Sequence, residues 1–84
     1  MLLPTQPITL TAEQVKELNG KLKTMRHDVN NKLALIVAAV ELIRLKPHTT
    51  ANMLATLVEQ PPKISEALTT FSAEFERACG ITRG

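Results

Sequence analysis

Residues 26 to 36 read "RHDVNNKLALI", a histidine, an acid and two asparagines set against an apolar run. His27 carries an imidazole, which when neutral is a good nucleophile near physiological pH. Asp28 is the acid next to it in sequence. Asn31 follows His27 by four residues, so on a helix it lies one turn away on the same surface, as Lys23 does in the other direction. A second histidine, His48, stands beside Pro47 with no comparable neighbours and reads as a solvated turn residue. Neither histidine has further ligands at metal spacing, so no metal site is expected.

The elements that must carry these residues are helical. In "LTAEQV", Thr11 can cap a helix, Gln14 can reach back to it as the third helical residue, and Leu10 can staple onto Val15. From there the apolar positions Val15, Leu18, Leu22, Met25 and Val29 alternate in steps of three and four, the spacing of a heptad seam. Leu33, Ile36, Val40 and Ile43 continue it after two consecutive four-residue steps, a stutter that locally unwinds a supercoil. Leu35, Val37 and Leu42 widen the stripe, and Gly20 lowers helix propensity without ending the helix. Pro47 stops it near Lys46. The reading is a helix over about 11–46, roughly 35 residues and about 50 Å long.

After a turn at 47–50, with Thr49 or Thr50 as a cap, the apolar positions Leu54, Leu57, Ile64, Leu68, Phe71 and Phe75 follow, with Pro61 filling the missing beat. Pro61 and Pro62 lack amide donors and must kink or break a helix. Because the three-four rhythm crosses them without a change of phase, one kinked helix over about 50–79 is preferred to two helices. Gly80 is the stop. Residues 1–10, with Pro4 and Pro7, form a flexible arm, and 11–84 form the domain. The fold class is all-α, a long antiparallel helical hairpin. Two such helices leave apolar faces uncovered, and the simplest closure is a homodimer that makes a four-helix bundle. Its core is expected to hold Leu22, Met25, Val29, Leu33, Ile36, Val40 and Ile43 from the first helix, with Leu57, Ile64, Leu68 and Phe71 from the second.

With Leu22 and Val29 at the inward position a of the heptad abcdefg, His27 falls at f, farthest from the partner helices. Lys23, Thr24, Asn30 and Asn31 fall at the outward positions b and c, and Asp28 falls at g on the flank. The polar cluster therefore decorates the outer face of a helix whose inner face is core.

"HDVNNKL" resembles the H-box of sensor histidine kinases, in which the histidine is followed by an acid, by Asn or Thr four residues on and by an aliphatic residue six on. His27, Asp28, Asn31 and Leu33 occupy those places. Lys32 stands where many of these kinases have proline. The wider string "RHD..NKL..I" is most similar to the sporulation phosphotransferase and to the citrate and fumarate sensor kinases. The resemblance covers most of the chain, because the dimerisation and phosphoacceptor domain of that family is a long helical hairpin. It implies a phosphotransfer module of a two-component system or phosphorelay, with His27 as phosphoacceptor exchanging phosphate with a receiver-domain aspartate. It further implies Asp28 as acid/base or orienter and Asn31 as the residue that positions a phosphoryl acceptor or hydrolytic water. Lys23, Arg26, Asn30 and Lys32 would meet the response-regulator receiver.

Several classes are disfavoured. The 84 residues contain three scattered glycines and no glycine-rich loop, so no cofactor is expected to bind, and ATP and magnesium would act only through a separate or missing kinase domain. Ten basic and eight acidic residues leave +2 without a basic stripe, and only Phe71 and Phe75 are aromatic; nucleic acid is not an expected partner. "LALIVAAVELI" is too short to span a bilayer and carries Glu41. "MLLPTQPITL" lacks the charged start of a signal peptide. Cys79 is the lone cysteine, which suits a cytoplasmic setting. The competing reading is a non-catalytic dimeric adaptor or regulator derived from a histidine kinase, for which the polar patch is only a docking surface.

Overall fold

The computed structural model describes residues 3–81. The described chain is all-helical: α1 spans Ala12–Leu45, a single 3₁₀ turn covers Pro47–Thr49, and α2 spans Thr50–Cys79. The two helices lie side by side, antiparallel, in a rod of 58 × 28 × 12 Å. Its smallest dimension is one helix diameter.

Each boundary has a local cause. At the start of α1, the Gln14 amide donates to Thr11 Oγ1 at 3.1 Å, and the Thr11 amide donates to Gln14 Oε1 at 2.8 Å. This reciprocal pair satisfies two of the first-turn donors that a helix leaves open. At its end, Lys46 leaves helical geometry at φ −135° and ψ 77°, as the residue before a proline tends to. Thr49 Oγ1 donates to the Lys46 carbonyl at 2.8 Å, and Thr50 Oγ1 donates to that of Pro47. The two threonines thus serve carbonyls behind them rather than capping α2, because the 3₁₀ turn runs directly into α2 and supplies its first carbonyl acceptors. Gly80 closes α2 in the left-handed region at φ 68°, and the Ile81 amide reaches back to the Glu76 carbonyl at 2.8 Å. That bond is the long arm of a glycine-terminated helix end.

Pro61 and Pro62 lie inside α2, which continues through them as one helix. Neither has an N–H, so the carbonyls of Leu57 and Val58 lose their helical donors. Between these two features lies Gln60, only 3% exposed; its Nε2 donates to the Thr56 carbonyl at 2.8 Å, while its Oε1 is buried without a partner.

The contact between the helices follows two uninterrupted three-four rows of buried and half-buried residues. In α1 the row is Leu18, Leu22, Met25, Val29, Lys32, Ile36, Ala39 and Ile43; in α2 it is Met53, Leu57, Gln60, Ile64, Ala67, Phe71, Glu74 and Ala78. The expected stutter after Val29 is not present in this row. Lys32 and Ala39 hold the beats that the apolar pattern assigned to Leu33 and Val40, and Gln60, Ala67 and Glu74 hold beats assigned to Pro61, Leu68 and Phe75. Leu33, Val40 and Leu68 are 47%, 44% and 46% exposed in the hairpin. Helix geometry sets the contact row, and a lysine stem or an alanine fits between two close helices as well as a leucine does. The other eight residues of the expected core, Leu22, Met25, Val29, Ile36, Ile43, Leu57, Ile64 and Phe71, are half-buried in the seam.

A single layer of two helices has no interior. Among the described residues only Ala39, Gln60 and Cys79 are buried, at 2%, 3% and 8% exposure. Near the open end the helices are also tied by charge. Glu74 Oε2 meets Lys21 Nζ at 3.4 Å across the seam, and Glu74 Oε1 accepts from Arg77 at 3.2 Å.

Candidate functional site

The site is built on the middle of α1, where the three-four seam holds Met25, Val29 and Lys32 against α2. On a helix of 3.6 residues per turn, a residue two before Val29 points away from that seam. His27 does so, and it is exposed, as are its neighbours Lys23, Arg26, Asp28, Asn30 and Asn31.

The spacing brings His27 together with Asn31. Asn31 Nδ2 lies 3.3 Å from His27 Nε2. An amide nitrogen can only donate, so in the tautomer that carries its proton on Nδ1 the ring accepts this bond at Nε2. In that tautomer the nucleophilic lone pair is the one that Asn31 touches. A solvent-exposed pair of this kind, four residues apart, contributes only about 0.2–0.5 kcal/mol. It can hold the ring's orientation while free, and an arriving electrophile displaces it easily.

Asp28 is not brought to the ring. It lines a groove of about 600 Å³ on one flank of the hairpin, with Lys21, Lys32, Lys63, Glu66 and Glu74 on the rims and Met25 and Phe71 on the floor. Lys32 is half-buried in the seam, so it serves the groove rather than the His27 face. Lys23, Arg26 and Asn30 surround His27 on the outer surface, and two of these three carry positive charge that suits an approaching phosphoryl group. His48 lies in the turn, about 30 Å along the rod from His27 by helical rise.

The groove contributes residues that the motif did not suggest. Lys63, Glu66 and Thr70 of α2 lie at the level of Asp28 and Thr24. Finding them requires the register between the helices, which depends on α2 running unbroken through the two prolines. Gln60 was also missed, although a strict three-four count from Leu57 to Ile64 lands on it.

The Glu74 carboxyl has a displaced pKa. The hydrogen bond from Lys21, then the charges of Arg77 and Lys21, hold the Glu74 carboxyl below the ordinary glutamate value, against a smaller desolvation effect. Among the described residues, no group of three or more His, Cys, Asp or Glu side chains gathers into a metal-binding set, and no helix is long and apolar enough to cross a membrane. Comparison with family models, with curated proteins and with solved structures gives no match to this chain.

Proposed function

We propose that this chain is a histidine phosphoacceptor module that exchanges phosphate between His27 and an aspartate of a receiver domain, acting as a homodimer whose two hairpins form a four-helix bundle. The observation that carries the reading is the exposed His27 ring on the outer face of α1, with Asn31 Nδ2 3.3 Å from its Nε2. The likeness of "HDVNNKL" to the H-box of sensor histidine kinases supports the same role.

The transfer is a substitution at phosphorus. The Nε2 lone pair attacks the phosphorus of an aspartyl phosphate, the N–P bond forms, the acyl O–P bond breaks, and the carboxylate leaves with its electron pair. The ring, now cationic, releases its Nδ1 proton to water or to a base. Asp28 faces the groove flank in the free hairpin, so it takes that proton only when a docked partner turns it toward the ring. Asn31, displaced from Nε2, is one turn away and can hold a phosphoryl oxygen or a water through its amide. Phosphate arriving from ATP would have to come through a separate kinase domain that supplies the nucleotide and magnesium sites. A soluble, cytoplasmic role fits this partner set.

The test is labelling by a phosphorylated receiver or a sensor kinase. Wild type is expected to acquire an acid-labile phosphoryl group, and His27→Ala is expected to lose it with helicity unchanged. Persistent label in the variant would defeat the proposal.

One observation favours the alternative, a non-catalytic dimeric adaptor. The acid beside the histidine faces a charged groove instead of the ring, an arrangement that suits docking without chemistry. In that case His27→Ala would leave partner binding and its downstream effect intact, whereas Ile36→Asp in the seam would abolish both.

A further inference from the structure

The hairpin has two flanks of different chemistry. In an antiparallel pair, positions e of both helices share one flank and positions g share the other. The g flank holds the groove, lined by charged side chains of both helices; nearer the turn α1 carries Leu35 and Leu42 on this flank, but α2 sets the polar Thr56 there instead of an apolar strip. Along the e and b positions of the opposite flank, α2 presents Ala51, Leu54, Val58, Pro61, Ser65, Leu68, Ser72 and Phe75 in order, without one charge. At 1.5 Å per residue this uncharged strip is about 36 Å long.

On α1 the same flank is apolar at Leu33, Val37 and Val40, bounded by the exposed Arg44 beside the turn and by Arg26 toward the open end. The register set by the Lys21–Glu74 pair places Val40 level with Leu54, Val37 with Val58, and Leu33 with Pro61. Six side chains thus form one apolar patch. Val58 is 71% exposed, Val37 63%, Leu54 54%, Leu33 47% and Val40 44%. These values are far from those of the seam, so the hairpin itself does not use the patch.

The exposed area indicates how much surface remains to be covered. The chain exposes 6393 Å². A compact monomer of 9.2 kDa exposes only about 4,900 Å² by the usual scaling of surface with mass. The surplus, about 1,500 Å², exceeds the roughly 800 Å² that each partner buries in a standard stable interface. An uncharged patch also meets its own copy without like-charge repulsion, whereas the groove flank sets charges of both signs against any copy.

We infer that a second copy of this chain docks on the patch formed by Leu33, Val37, Val40, Leu54, Val58 and Pro61, leaving the charged groove and His27 outside the interface. This inference rests on the dimeric part of the proposed function and assigns it a surface. It is independent of whether His27 accepts phosphate.

Two measurements on the full chain test it. The first is mass in solution by light scattering at micromolar concentration. Wild type is expected to be a dimer, Val58→Asp to have its dissociation constant raised at least tenfold, and Lys63→Ser, in the groove, to match wild type. A monomeric wild type, or a Val58→Asp chain that dimerises as tightly as wild type, would overturn the inference. The second avoids any loss of folding in the charged variant, because Val58→Cys is a small change. Its thiol is expected to react at least tenfold more slowly with an alkylating reagent as the protein concentration rises, while the thiol of Lys63→Cys keeps its rate. Equal, concentration-independent rates at both positions would overturn it. Labelling of His27 is a separate readout, so failure here and failure of the phosphoacceptor role are told apart.

Discussion

At His27 the contact is one weak bond, and the proposed phosphotransfer depends on it little. The Asn31 amide donates to Nε2, and a bond worth a few tenths of a kcal/mol changes a population by about twofold. Asn31→Ala is therefore expected to change the initial rate of His27 phosphorylation by no more than about threefold, measured by rapid quench with a phosphorylated receiver. A loss of a hundredfold would show that Asn31 acts in the transition state rather than as a rest for the free ring. At Glu74 the prediction concerns stability. Its carboxyl pKa is held down in the folded hairpin by Lys21 and Arg77, so the pair contributes stability above the unfolded value. That contribution is lost as pH falls from about 4.3 through the folded value. Acidification across that window is expected to lower the thermal midpoint of wild type more than that of Glu74→Gln, and equal slopes would contradict it. Much of this scale was legible in the sequence: a four-residue spacing places Asn31 against His27 on any helix. The groove that Asp28 shares with Lys63 was not, because it depends on the other helix.

At the scale of the elements, the boundaries follow from short-range chemistry. Thr11, Gln14, Pro47 and Gly80 act within a few residues of themselves, so their effects can be read directly. Thr11→Ala is expected to cost about 1 kcal/mol in chemical denaturation. Gly20 lies within α1, and a Cβ built there meets nothing within 4 Å. Gly20→Ala should therefore stabilise the chain by about 0.5–1 kcal/mol; destabilisation would mean that the groove beside Gly20 is filled in solution. The seam was harder to read. An apolar pattern finds Leu33, Val40 and Leu68, whereas the contact row takes Lys32, Ala39 and Ala67, because the apolar stripe is wider than the seam and runs onto the exposed flank. The buried Gln60 is the clearest case. It reads as a polar surface residue until the row is counted through it, and its Oε1 is buried without a partner.

As a whole, the molecule is one helix thick, and this explains its exposed leucines and valines better than any single residue does. In the proposed dimer the charge-free flank takes the second copy, and the outer face of α1 with His27 stays open to an incoming phosphoryl group. The most direct test is therefore to locate the phosphoryl group after transfer, by fragmentation mass spectrometry of the labelled chain at neutral pH. The expected result is an acid-labile phosphoryl group on His27, with His48 unmodified. A phosphoryl group on His48, or an acid-stable one on a threonine or serine with His27 bare, would contradict it.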